Sequence, residues 1–125
     1  MSAFKSCLIA ASLCSAALAG AAAARPQLTD AQYLSAARCQ ALMSSSALGK
    51  VDTTMIDSVL KTQAAYRMPA VTDRADEVRQ DARRAASHAG PSEKAALIAE
   101  RDGACAATTH DVEVATMAGS GPAGH

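Results

Sequence analysis

The cysteines are the residues with most chemistry to offer, and there are four of them: Cys7, Cys14, Cys39 and Cys105. Cys7 and Cys14 lie in an N-terminal stretch laid out like a secretory leader, so the mature chain is expected to keep only Cys39 and Cys105. Two cysteines in an exported domain suggest a single disulfide; the alternative is a pair of buried free thiols. The bridge would close a loop of about 67 residues, worth about 4 kcal/mol in the chain-entropy account. A redox centre wants a C-x-x-C arrangement, in which one thiolate is tuned and the other resolves the mixed disulfide. A structural zinc site wants four ligands. Cys39 and Cys105 are far apart and have no histidine beside them, so they fit neither pattern.

His110, Asp111 and Glu113 form the one local cluster of possible metal ligands, with His125 at the chain end. Ligands must be held by a rigid scaffold with supporting contacts, and this region has the composition of a mobile segment. No metal site and no cofactor is therefore expected. Glu93, Glu100, Arg101 and Asp102 are spread along one helical segment as ordinary surface charges. The chain has no glycine-rich phosphate loop, no G-x-S-x-G elbow and no H-E-x-x-H pair, so no catalytic residue is assigned and an enzyme is not expected.

A third group is the charge-dense stretch in which Arg74, Arg79, Arg83 and Arg84 alternate with Asp73, Asp76, Glu77 and Asp81. It reads as a partner-recognition surface or as a plain solvated helix face. The whole chain balances 12 Lys and Arg against 12 Asp and Glu. Loss of Lys5 with the leader gives the mature chain a slight acidic excess, a single charge. Nucleic-acid binders gather a basic excess on one face because phosphate contacts supply most of their affinity, so nucleic acid is not an expected partner.

These residues need elements to position them. Lys5, the apolar run Cys7 to Leu18 and the small residues Ala22-Ala23-Ala24 make residues 1–24 a signal peptide, with Ala17-Leu18-Ala19 as a second cleavage signal. The alternative is an uncleaved anchor, but Ala, Ser and Gly dominate the stretch and insertion would gain little. No stable membrane span is expected after cleavage. Beyond it, Thr29 and Gln32 form a capping box, with Leu28 and Tyr33 as a hydrophobic staple, for a helix over Asp30 to about Met43. Asp52 caps a second helix carrying Ile56, Val59 and Leu60, which ends near Arg67 because Pro69 disfavours helical geometry in Met68. Pro69 to Thr72 then reads as a linker.

A third helix over Asp73 to Ala89 places Ala75, Val78, Ala82, Ala85, Ala86 and Ala89 on one stripe, with acids near its start and bases near its end, as the helix dipole favours. Gly90-Pro91 stops it and opens a fourth, running through Leu97 and Ile98 toward Cys105, with Gly103 weakening its last turns. The only Phe, Phe4, is in the leader and there is no Trp. The core is therefore thin, and a covalent staple is useful.

The sequence thus predicts an all-α fold: a signal peptide, a bundle of about four helices over 25–107 with a disulfide between its first and last helices, and a flexible tail over 108–125. The expected protein is a small periplasmic or secreted one, a non-enzymatic module that binds a protein partner or associates with the envelope. The alternatives are a carrier of a small ligand or metal and a small stress-linked chaperone.

Overall fold

A computed structural model describes residues 27–119; residues 1–24, expected as a signal peptide, and His125 lie outside the described residues. The elements are α1 (Asp30–Met43), a 3-10 turn (Ser46–Leu48), α2 (Thr54–Ala64), α3 (Pro69–His88), α4 (Pro91–Asp102) and α5 (Ala104–Gly119). No strand occurs among the described residues, and no helix there is long and apolar enough to cross a membrane.

Helix α1 begins as its sequence requires. The Thr29 hydroxyl accepts from the Gln32 N–H at 3.1 Å, and Gln32 Oε1 accepts from the Thr29 N–H at 2.8 Å, so two orphan donors of the first turn are satisfied reciprocally. The expected staple is different, however. Leu28 packs with Val59 and Val112, while Tyr33 joins the main core with Ala36, Ala37, Leu42, Ile56 and Leu60.

Proline alters the second boundary. Met68 is extended, as the residue before a proline should be, and ends the α2 side of the connection. Pro69 itself takes the first helical position, where its missing N–H costs nothing, so Pro69 to Thr72 is the first turn of α3 and not a linker. Helix α2 closes at Ala64, short of Arg67. Asp52 still organises its start by accepting from the Thr54 N–H (3.1 Å) and hydroxyl (2.7 Å).

The fourth expected helix is two. Gly103 breaks it, and Cys105 belongs to α5, so the disulfide joins α1, the first helix, to α5, the last. Residues 108–119 were expected in a flexible tail and are instead helical, which moves the helical boundary well past Ala107. The reason is tertiary: Val112 is buried against Leu28 and Val59, and the Thr109 hydroxyl reaches Met43 Sδ of α1 at 3.9 Å.

The core is small, as the composition demands. Leu42, Ile56 and Cys105 are its largest fully buried side chains, and alanines fill the seam where α3 lies along α1. Small side chains on facing helices let the axes approach closely. At the α1–α2 corner Gly49 has φ of +82°, a left-handed geometry that suits glycine. Its carbonyl accepts from Arg101 Nη1 at 2.7 Å.

Arg67 closes the other end of α1. Its side chain is only 7% exposed. One nitrogen reaches Asp30 at 2.7 Å, and another donates to the Leu28 carbonyl and to Gln63 Oε1. The guanidinium also sits 5.3 Å from the Tyr33 ring centroid, a cation–π distance.

Candidate functional site

Cys39 and Cys105 form the expected disulfide, with Cα atoms 5.3 Å apart and both residues buried. A buried bridge inside the core is placed to hold the fold, because exchange needs access by an attacking thiolate. The four arginines of α3 do not share one role. Arg74 pairs with Glu77 at 2.7 Å and Arg84 with Asp81 at 2.5 Å, both on the exposed surface at i, i+3 spacing. Arg83 is exposed and makes no ion pair among the described residues.

Arg79 turns inward instead. Its side chain is 17% exposed, and it binds Asp76 at 2.6 Å and Gln40 Oε1 of α1 at 2.7 Å. Gln40 then donates to Asp57 Oδ1 of α2 at 2.5 Å, and Asp57 Oδ2 accepts from the Thr53 hydroxyl at 2.8 Å. This chain of side chains, Asp76–Arg79–Gln40–Asp57–Thr53, links three helices, and its members other than Thr53 line an open groove of about 340 Å³.

Tyr33 and Leu60 lie at the floor of that groove, each 2% exposed, and Lys61 and Thr72 stand at its sides. The Tyr33 hydroxyl has no hydrogen-bond partner among the described residues. Tyr33 lines the groove, so its phenol is the uncommitted hydroxyl closest at hand there. Lys61 makes no ion pair among the described residues, so its ammonium is also uncommitted.

Among the residues of the expected metal cluster, His110 and Asp111 are exposed on α5 and Glu113 is partly buried. Asp111 borders a smaller groove of about 200 Å³ with Leu28, Ser35 and Val112. Among the described residues no group of three or more His, Cys, Asp or Glu side chains converges in a way that could hold a metal ion.

Elsewhere, Arg38 grips Glu100 of α4 through two parallel bonds of 2.6 and 2.9 Å. These bonds hold the Glu100 carboxyl below its ordinary range, with burial opposing the shift. The same bonds raise the Arg38 guanidinium.

Sequence reasoning missed Gln40, Asp57, Lys61 and Tyr33 as a group. Gln40 and Tyr33 read as helix-stripe residues of α1, and Asp57 and Lys61 stand at i, i+4 on α2, which is the spacing of one helix face. Nothing local marks that the two faces meet. No family model matches this chain, and no curated protein or solved structure shows significant similarity to it.

Proposed function

We propose that this chain is a small non-enzymatic binding module of the periplasm or another exported compartment, and that it engages a protein partner through the outward face of α3. The observation that carries the reading is how α3 is built. It buries only Ala75, Ala82 and Ala86, and turns a dense array of charges outward over its 20 residues. A helix seated on a neighbour through Ala75, Ala82 and Ala86 presents its outer side chains without much further ordering cost, and low ordering cost favours recognition.

The inward turn of Arg79 narrows the proposed surface to Arg74, Arg83 and Arg84 with the acids beside them. The exported location draws support from the leader layout and from a disulfide, a bond that persists in oxidising compartments.

Affinity purification from envelope extract tests the partner. A tagged protein is compared with the charge reversal Arg83→Glu/Arg84→Glu, which alters no link between helices. Proteins recovered by the parent chain and lost with the reversal support the reading. The same proteins in both samples, or none in either, overturn it. N-terminal mapping of the recovered protein is expected to begin at Arg25, and retention of Met1 removes the leader from the account.

A further inference from the structure

We propose that the groove walled by α1, α2 and α3 is a binding site for a small aliphatic zwitterion, an α-amino acid in size and charge. This goes beyond the protein-binding face, since the groove opens on the side of α3 that Arg79 occupies.

The charges at its wall set the ligand class. Asp57 and Asp76 face Lys61 and Arg79, so the lining is balanced, and a ligand carrying one charge of each sign complements it better than a net anion or cation. The hydrogen-bonding capacity already in use narrows the roles. Both carboxylate oxygens of Asp57 are occupied, by Gln40 and by Thr53. Arg79 gives Nε to Gln40 and Nη1 to Asp76, which leaves Nη2 as a donor.

The Lys61 ammonium, Arg79 Nη2 and the Tyr33 hydroxyl then remain as donors for a carboxylate, and the second oxygen of Asp76 remains as an acceptor for an ammonium. Charge-assisted hydrogen bonds of this kind are the strong ones. Buried Leu60 and half-buried Ala64 offer a short apolar surface for an aliphatic side chain. The volume of about 340 Å³ lies at the small end of small-molecule sites, which suits a ligand of this size. The Gln40 bridge ties Asp57 and Arg79 together before any ligand arrives, so some of the ordering cost is already met.

Amide-resolved NMR titration of the disulfide-bonded protein tests this with three probes of similar shape: leucine, 4-methylpentanoate and isoamylamine. Leucine is expected to shift the amides of Tyr33, Leu60, Lys61 and Asp76 saturably. Each single-charge analogue should bind about tenfold more weakly, the ratio expected from losing one charge-assisted contact.

Two variants that remove only uncommitted groups, Lys61→Gln and Tyr33→Phe, should keep the parent spectrum elsewhere and weaken leucine binding, Lys61→Gln by about tenfold and Tyr33→Phe by less. Absence of saturable shifts at millimolar leucine overturns the proposal. So do equal affinities for all three probes, and so does unchanged leucine binding in both variants.

Discussion

Helices α3 and α4 both lie against α1 and are attached by opposite means. Helix α3 meets it through alanines, with Ala75 and Ala82 fully buried in one cluster with Ala36 and Ala37. Helix α4 has no fully buried residue; Leu97 and Ile98 are only partly covered. What ties it down is polar: the paired bonds from Arg38 to Glu100, and Arg101 reaching the carbonyls of Leu48 and Gly49 at 2.5 and 2.7 Å. A chain this poor in large apolar residues can therefore dock a helix by close approach of small side chains or by arginine struts. Close approach is insensitive to pH and intolerant of added volume. The struts tolerate volume and depend on ionisation.

The largest test of this contrast removes the disulfide. Cys39→Ala/Cys105→Ala frees α5 from α1 and is expected to lower stability by about 4 kcal/mol, read from the denaturant midpoint. Hydrogen exchange should show α4 and α5 losing amide protection first while α1 to α3 hold it, because the alanine seam does not depend on the bridge. Uniform loss across all helices would erase the distinction.

A smaller effect comes from overfilling the seam. Ala82→Leu adds three carbons at a site with no free surface and should cost about 2–3 kcal/mol, equally at neutral and mildly acidic pH. A cost below about 0.5 kcal/mol, the level of an ordinary surface change, would show that α3 can slide away from α1.

The smallest effect is the most diagnostic. Glu100→Gln should lower stability by at most about 1 kcal/mol near neutral pH, since the pair is partly exposed and water screens it. The Glu100 carboxyl is held lower in the folded chain than in the unfolded one. Its contribution is therefore present above the unfolded value, about 4.3, and is lost as pH falls through the folded one. The gap between parent and variant should narrow below about pH 4 and close under more acidic conditions. Urea midpoints over that range check it, and a gap that stays constant with pH would deny the strut its ionic character.

Much of the fold was legible because its signals are local. The Thr29–Gln32 capping box sets the start of α1, Gly90 and Pro91 separate α3 from α4, and Cys39 and Cys105, the two cysteines beyond the expected leader, make one bridge. Each rests on groups within a few residues or on simple counting. The candidate site was far less legible. In the sequence Arg79 is one of four equivalent surface arginines, whereas its partner Gln40 lies 39 residues away.

Arg67 marks only a helix end in the sequence, yet it holds Leu28 and Asp30, 39 and 37 residues earlier. The stretch from Thr108 to Met117 carries little helical signal because it offers one core residue, Val112, while Val114 and Met117 are exposed.

By itself, then, the sequence determined the helical class, the limits of α1 and the disulfide pairing. Capping, proline geometry and hydrophobic period all act over one or two helical turns. Only the tertiary structure decided that Arg79 points inward, that the Arg67 side chain is buried, that α5 continues to Gly119 and that three helices line one groove. Those outcomes depend on which helix faces meet, and that is set by the summed packing of side chains distant in sequence, which no local spacing records.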